Sequence, residues 1–324
     1  MNRMKLFLLS MLTISTTYGQ ITTTKIIDKS QNLETIKYDS VNNFLHKNVY
    51  QYIGQELYLK GKSENDRKPR DGYVDFYTEY KKNFDNIVYK CCGDTVFKIR
   101  SKYSELAGKY FKVVDVIKHP KANEMPSLYG DKYYLKLIEK SSQDTLFYEY
   151  YTKSEYNFPF IVVGYFEKLK SIAIGKKFVF SSNRIDTKKT DISTGNPIVS
   201  KLGETWECVD VTIDEKEFDL SLVLKDGIGQ KMIYDYKITT DPETWVGIYT
   251  LNHAIKYKNQ FGLDIWNTIL LGKVKIGMTK EMCKLSWGEP QKINETITSK
   301  SKSEQWVYSD NYLYFANNKV IAIQ

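Results

Sequence analysis

An internal duplication constrains the fold of this 324-residue chain more than any other feature. Four short blocks recur in the same order in two parts of the sequence, which predicts two copies of one structural unit. The matched pairs are Tyr52–Leu59 with Ala173–Phe180, Ala107–Ile117 with Leu202–Thr212, Tyr133–Tyr150 with Phe218–Tyr236, and Ile161–Phe166 with Thr244–Tyr249. The first copy is the longer one, mainly because residues 86–100 precede its second block without a counterpart.

The matched blocks alternate apolar and polar residues, which is the period of a half-buried strand. In the third block of the first copy, Tyr133, Leu135 and Leu137 share one face. Turn-forming residues such as Lys225 to Gly227 separate neighbouring blocks. Tyrosine, which favours strands, accounts for 26 of the 324 residues. We therefore expect each copy to contain five short antiparallel strands with a long first loop.

This pattern resembles an SH3-like barrel, with a small sandwich or an OB-like barrel as the alternative. We expect a helix before each copy. Tyr38–Val49 would form the first, with Asp39 or Ser40 as its N-cap, and Phe166–Ile172 the second. The first repeat with its leading helix would then occupy 39–166, and the second 167–250.

The N-terminus predicts export. Arg3 and Lys5 precede an apolar run, Leu6–Ile14, and small or polar residues follow as far as Gly19. This is the order of a secretory signal, and the run is shorter than the roughly 20 residues that span a bilayer. We expect a signal peptide over 1–19, a loose segment over 20–38, and a final location in the periplasm or at the cell surface. No later segment predicts a transmembrane helix.

The net charge of +8 does not by itself predict a nucleic-acid partner. A nucleic-acid-binding protein concentrates its basic residues on one element, whereas here the lysines alternate with acids along the chain. The sequence therefore favours a solvated basic surface and no nucleic-acid partner.

The C-terminal segment, 251–324, has a different pattern. Apolar residues recur at helical spacing in Leu263–Val274, and a second helix is expected after the N-cap residue Thr279. Gly288 and Pro290 would end that helix, and strand-like segments follow.

Five spaced motifs in this segment resemble the SmpA/OmlA-type module of bacterial envelope proteins. They are Gly277–Thr279, Trp287–Pro290, Gln305–Tyr308, Tyr312–Phe315 and Val320–Gln324. The resemblance implies two helices packed on a three-stranded antiparallel sheet, binding to protein partners, and no catalytic role. The chain departs from the small lipoprotein of this family because it lacks a lipid-acceptor cysteine and carries the duplicated region.

Four aromatic residues of this module are candidates for a partner-binding or a structural role: Trp287, Trp306, Tyr308 and Tyr314. Asp115 and Asp210 occupy matched positions inside apolar strands of the two repeats. The pair would form either a ligand site shared by both repeats or hydrogen bonds to nearby backbone.

The sequence offers little evidence of catalysis or metal binding. It has no CxxC motif or Cys/His cluster, and its three histidines pair with no recognised nucleophile motif. Cys208 aligns with Val113 of the first repeat, which predicts a packed position, and Cys283 lies on a helix with an apolar face. We therefore expect no catalytic residue, cofactor or metal.

These observations favour an exported, non-catalytic binding or scaffold protein of the bacterial cell envelope. Its partner would be an envelope protein or a cell-wall component. One alternative is an envelope hydrolase in which a polar pocket joins His46 or His253 to a cysteine or an acid. Another is an accessory of outer-membrane protein assembly.

Overall fold

The computed structural model describes residues 37–38, 40–68, 71–80, 86–91, 100–185, 189–239, 245–297 and 302–324. The predicted signal peptide and nearly all of the predicted loose segment lie outside these ranges. The α-helices are α1 (Glu64–Arg67), α2 (Tyr103–Leu106), α3 (Pro126–Tyr129), α4 (Val163–Ala173), α5 (Leu251–Phe261), α6 (Leu263–Leu270) and α7 (Lys280–Trp287). In the part of the chain that is described, no helix has the length and apolar character needed to cross a membrane.

Three antiparallel sheets complete the architecture, which confirms a mostly β chain with helices in its C-terminal part. Sheet 1 contains β1 (Glu56–Leu59), β2 (Phe76–Tyr77), β3 (Tyr110–Lys118), β4 (Lys132–Glu139), β5 (Thr145–Tyr151) and β6 (Phe160–Val162). Sheet 2 contains β7 (Lys177–Phe180), β8 (Thr205–Ile213), β9 (Leu220–Lys225), β10 (Lys231–Asp235) and β11 (Ile248–Thr250). Sheet 3 contains β12 (Lys292–Ile297), β13 (Lys302–Val307), β14 (Tyr312–Ala316) and β15 (Lys319–Ile323).

Sheets 1 and 2 share a strand order. Sheet 1 runs β2-β5-β4-β3-β1-β6 and sheet 2 runs β10-β9-β8-β7-β11. Apart from the short edge strand β2, both follow the order fourth, third, second, first, fifth. A helix of 11 residues follows the last strand in each case, α4 after β6 and α5 after β11.

The two sheets also carry a β-bulge at the same place. The pairing shifts between Val113 and Asp115 in β3, and between Cys208 and Asp210 in β8. In each sheet a glycine N–H donates to the carbonyl just before the bulge. The two bonds are Gly54 to Val113 and Gly175 to Cys208, each 2.8 Å. Both glycines have positive φ, 82° and 86°, a conformation that favours residues without a side chain.

Neither sheet closes into a barrel within the described residues, so the expected SH3-like barrels are not observed in closed form. Other segments of the chain instead form backbone hydrogen bonds or bridges with the outer strands. Ile192 donates its N–H to the carbonyl of Lys231 on β10, at 2.9 Å, and Tyr77 of β2 forms an isolated bridge with Ile87. These contacts use edge positions that barrel closure would need.

The third predicted block match is displaced by two residues. Val116 pairs with Leu135 in sheet 1, and the equivalent Val211 pairs with Leu222 in sheet 2. The sequence comparison had matched Leu135 with Leu220 instead. A displacement of two preserves the alternation of faces, so the apolar pattern alone does not reveal it.

The fourth block match is also wrong in register. Leu57 pairs with Val162, and its equivalent Phe178 pairs with Thr250. Val162 therefore corresponds to Thr250, whereas the sequence comparison had matched it with Trp245. Both strands here have three residues, too short for a pattern to fix their alignment.

The predicted leading helix of the first repeat is wrong as well. From Ser40 to Asn48 the chain forms turns and irregular structure, followed by a 3₁₀ turn at Val49–Tyr52. The Asn43 side chain bonds the carbonyl of Phe160 and the N–H of Val162, both at 2.8 Å. These bonds hold the segment against β6 in place of a helix. The second leading helix is present as the longer α4.

Sheets 1 and 2 contribute to one contiguous hydrophobic core. Phe111 and Phe160 of sheet 1 lie in the same cluster as Trp206 and Leu224 of sheet 2. All four side chains are fully buried. The repeats are therefore packed together rather than joined only by a linker.

The C-terminal sheet has four strands rather than the three that the resemblance implies. The last strand-like segment folds back at Asn317 and Asn318, which both have positive φ and are typical residues of a tight hairpin turn. The Gly277–Thr279 motif lies along its edge. Gly277 donates its N–H to the carbonyl of Val320, and Val320 donates to Met278, at 2.8 and 2.9 Å. This motif therefore serves to fasten the loop before α7 to β15.

The helices and sheet of the C-terminal segment share a core with sheet 2. Val179 and Tyr249 of sheet 2 lie in the same cluster as Trp266 and Trp306. The Tyr249 hydroxyl also donates to the carbonyl of Leu285 on α7, at 2.7 Å. The segment is therefore anchored to sheet 2 by apolar packing and a hydrogen bond.

Candidate binding site

The two tryptophans of the C-terminal motifs have structural contacts. Trp306 is 2% exposed, its Nε1 donates to Glu304 at 2.9 Å, and its ring lies 4.6 Å from that of Phe315. Trp287 is half-buried and its Nε1 donates to the carbonyl of Gly272 at 2.9 Å. Trp306 is thus a core residue, while Trp287 fixes the loop before α7 against the end of that helix.

The two tyrosines lie in different environments. Tyr308 packs against the C-terminal core and donates its hydroxyl to the carbonyl of Gly288 at 3.0 Å. Tyr314 is on the opposite face of sheet 3. Its hydroxyl accepts from Gln305 at 3.0 Å and donates to Gln324 at 2.8 Å. These bonds connect three adjacent segments of sheet 3, which accounts for Tyr314 without a ligand.

Asp115 and Asp210 each bond the backbone just after the bulge. Asp115 accepts from the N–H of Val116 and Asp210 from that of Val211, both at 2.8 Å. Asp210 also forms an ion pair with Lys170 of α4, at 2.8 Å. The two carboxylates lie on separate sheets and make the same local bond, so their match reflects backbone geometry.

The buried cysteines are not placed for nucleophilic chemistry. Cys208 and Cys283 are fully buried. Burial raises the pKa of the Cys208 thiol to about 11, and burial raises that of Cys283 to about 12. Both thiols therefore stay protonated near neutral pH.

The histidines named in the hydrolase alternative have other neighbours. His46 Nδ1 lies 3.3 Å from the carbonyl oxygen of Thr152, and the His253 ring lies 6.0 Å from that of Tyr257. The Thr152 carbonyl beside His46 is neither the thiol nor the acid that this alternative requires. Within the described residues, no cluster of His, Cys, Asp and Glu could hold a metal ion.

The loop after the first strand distinguishes the two sheets. In sheet 2 this loop contacts the C-terminal segment. Ser182 donates its N–H to the carbonyl of Leu270 at 2.8 Å, and the Asn183 amide nitrogen lies 3.5 Å from where a Cβ on Gly272 would be. In sheet 1 the equivalent loop, residues 60–68, carries a group of cations.

One of these cations, Lys62, shares its acceptor with Arg100, which lies in a different segment. The Lys62 ammonium donates to the carbonyl of Gly72 at 2.7 Å, and Arg100 Nη1 donates to the same oxygen at 3.3 Å. Both side chains are half-buried. Two like charges are therefore held next to each other around a single neutral oxygen.

Stacked aromatic rings support this arrangement. The rings of Tyr73 and Tyr103 lie 5.7 Å apart and within 10° of parallel. Lys62 Nζ is 4.7 Å from the centre of the Tyr73 ring, and Arg67 Cζ is 4.6 Å from that of Tyr103. Cation–π contacts of this kind hold charged groups at fixed positions. We call Lys62, Arg67, Arg100, Tyr73 and Tyr103 the cationic–aromatic cluster.

Within the described residues, ion pairs do not balance the charge of the cluster. Among the described residues, no carboxylate lies within 4.0 Å of the charged nitrogens of Lys62, Arg67 or Arg100. Burial lowers the pKa of Lys62, and the positive charge of Arg100 lowers it further, while Asp66 and Asp71 act in the opposite direction. The Nε of Arg67 is buried and has no hydrogen-bond partner among the described residues.

Sequence reasoning missed this cluster. Its only local signal is the basic run around Lys60–Lys68, which also contains acids and therefore favours a solvated surface. Arg100 is distant in sequence and reaches the site because Tyr73 and Ser101 form a bridge, with two N–H···O bonds of 2.9 and 2.8 Å.

Comparisons with known proteins do not identify a relative: no family model, curated protein or solved structure matches the chain.

Proposed function

We propose that this chain is an exported, non-catalytic binding protein of the bacterial cell envelope, and that the cationic–aromatic cluster is its binding element. The observation that carries the proposal is that Lys62 and Arg100 share one neutral acceptor and have no carboxylate partner among the described residues. Holding two like charges together is unfavourable unless an anion joins them. An anionic envelope component would supply that charge.

A difference between the first loops of the two repeats supports the same function. We infer that sheets 1 and 2 are duplicated SH3-like units, because they share strand order, bulge position and the glycine before the bulge. In sheet 2 the first loop is used to contact α6 through Ser182. In sheet 1 that loop instead presents Lys62 and Arg67. One copy thus anchors the C-terminal segment and the other is free to bind.

For the C-terminal segment we retain the SmpA/OmlA-type module as a proposal. Its support is the order of the five motifs and the edge pairing of Gly277 and Met278 with Val320. Export rests on the order of basic, apolar and small residues over 1–19. Mass spectrometry of the native mature protein should show a start near Gln20, and an intact Met1 would contradict export.

The test of binding uses residues 20–324 and isolated cell envelopes that have been treated with protease to remove protein partners. We expect the protein to sediment with these envelopes and the double variant Lys62→Gln/Arg100→Gln to stay in the supernatant. Lys68→Gln is the matched control, since it removes a charge from the same loop at a residue paired with Glu64.

Three outcomes would contradict the proposal. If the protein sediments only with untreated envelopes, its partner is a protein. If neither preparation retains it, or if envelope polymer is released into solution during the assay, the protein is not a simple envelope-binding protein. Polymer release would favour the hydrolase alternative.

A further inference from the structure

We propose that Lys62 and Arg100 hold a dianionic phosphate group, as found in a phosphomonoester or in free phosphate. This inference rests on the proposed function, because it names the ligand chemistry of the same cluster. The argument uses the donors that remain available, the rigidity of the site and its charge.

Most donors at the site are unused within the described residues. A lysine ammonium has three N–H donors and an arginine guanidinium has five. The structure shows one hydrogen bond from the Lys62 ammonium and one from the Arg100 guanidinium, both to Gly72 O. The remaining N–H groups are sufficient for several bonds to the oxygens of one phosphate, whose geometry the arginine fork matches well.

The acceptor that brings the cations together has a fixed position. Gly72 has φ of 94°, and a Cβ there would lie 2.3 Å from the carbonyl oxygen of Ser101. Position 72 therefore requires glycine. On the other side, the backbone N–H of Lys62 donates to the Tyr103 hydroxyl at 3.3 Å. An anion would meet two charged groups that are already in place, which lowers the entropic cost of binding.

The nearby acids do not neutralise the pair. Asp66 Oδ2 accepts from the hydroxyl of Ser63, at the start of α1, at 2.8 Å. Among the described residues, neither Asp66 nor Asp71 forms an ion pair with Lys62 or Arg100. Burial is the first cause that lowers the pKa of Lys62, and the positive charge of Arg100 lowers it further although both acids act in the opposite direction.

The charge of the pair selects the ligand class. Two adjacent cations are matched by an anion of charge −2, which a phosphomonoester provides at neutral pH. A carboxylate or a phosphodiester supplies only one negative charge. We therefore expect the site to prefer dianions to monoanions of similar size.

Isothermal titration calorimetry of residues 20–324, at an ionic strength held constant with chloride, tests this preference. The probes are inorganic phosphate, glycerol phosphate as a monoester, and dimethyl phosphate as a monoanionic diester. We expect the diester to bind at least about tenfold more weakly than either dianion. Tighter binding of glycerol phosphate than of inorganic phosphate would identify a monoester group of a larger ligand as the source, and the reverse order would identify free phosphate.

Lys62→Gln and Arg100→Gln should each weaken phosphate binding about tenfold or more, whereas Lys68→Gln should change it less than about twofold. The melting temperature of each variant checks that it remains folded. Equal binding of diester and monoester, equal binding by the variants, or no binding of any probe up to about 10 mM would overturn the assignment. Retention on protease-treated envelopes without phosphate binding would overturn this inference and leave the proposed function standing. Phosphate binding without retention on envelopes would overturn the proposed function and leave this inference standing.

Discussion

Phe218 lies so close to Gly61 that a Cβ at position 61 would fall 2.2 Å from Phe218 Cε1. Phe218 belongs to the turn between β8 and β9 and has a positive φ of 57°. Beside it, Asp219 forms an ion pair with Lys60 at 2.9 Å. Sheet 2 is therefore in direct contact with the loop that carries Lys62, and that contact depends on the absence of a side chain at Gly61.

Gly61→Ala should destabilise the protein by about 1–3 kcal/mol, because the added methyl group overlaps the Phe218 ring. Urea denaturation would measure the change. Phe218→Leu in the Gly61→Ala background should recover part of the loss, since the shorter side chain leaves room for the methyl group. Gly61→Ala without measurable destabilisation would show that the turn moves aside at little cost.

The two C-terminal tryptophans should differ in their contribution to stability. Trp306→Ala should cost about 3–5 kcal/mol, since the side chain is 2% exposed and packs against Phe315. Trp287→Ala should cost roughly 1–3 kcal/mol, because this ring is only half-buried. Thermal or urea unfolding of both variants would test the difference, and an equal loss would mean that burial does not set the contribution of these residues.

The sequence predicted most of the strands but not their alignment. Period-two patterns locate β4 and β9, yet Leu135 matches Leu222 and not Leu220, because a displacement of two leaves every side chain on the same face. The segment around Asn43 has the apolar pattern of a helix. The Asn43 side chain instead forms hydrogen bonds to β6, and the local sequence does not encode these long-range contacts.

The candidate site could not be predicted from the sequence, for a related reason. Lys62 and Arg100 lie in different segments, and the bridge between Tyr73 and Ser101 brings them together. A charge pattern shows where cations occur but not whether each has a partner. By contrast, Cys208 was expected to be packed because its counterpart is Val113, and both residues are fully buried.

Chemical labelling should distinguish the cysteines. Cys208 and Cys283 should resist a thiol reagent at about pH 8 in the native protein, because both are fully buried and burial raises their pKa values to about 11 and about 12. The same protein unfolded in urea serves as the reactive reference, because unfolding exposes both thiols. Mass spectrometry after brief labelling would locate the modified residues. Rapid native labelling of Cys283 would contradict its place in the core.

Replacing the two matched aspartates by alanine should lower the free energy of unfolding by different amounts, although both side chains form the same hydrogen bond to the backbone. Asp115→Ala should cost about 1 kcal/mol through loss of the bond from Val116. Asp210→Ala should cost more, since Lys170, whose side chain is 14% exposed, also loses its ion-pair partner. Urea denaturation in the Lys170→Met background isolates the ion pair, and there Asp210→Ala should cost no more than Asp115→Ala. An unchanged difference would mean that Lys170 is not its source.

Glu304 should make the C-terminal segment sensitive to acid. A hydrogen bond from Lys280 is the main cause that lowers the pKa of this carboxyl below its ordinary 4.5. Burial opposes the shift, and a bond from Trp306 adds to it. Because the folded pKa lies below the unfolded one, the stabilisation is complete above about pH 4.5 and is lost as pH falls through the folded value.

Glu304→Gln should therefore lower the melting temperature at about pH 6, and the difference from the unmodified protein should shrink toward about pH 3. Glu289→Gln is the matched control, because it removes the same charge from the same segment at a carboxylate whose side chain is 70% exposed. Calorimetric melting of the three proteins over this range would test the argument. A difference that stays constant with pH would show that Glu304 contributes through packing and hydrogen-bond geometry rather than through its charge.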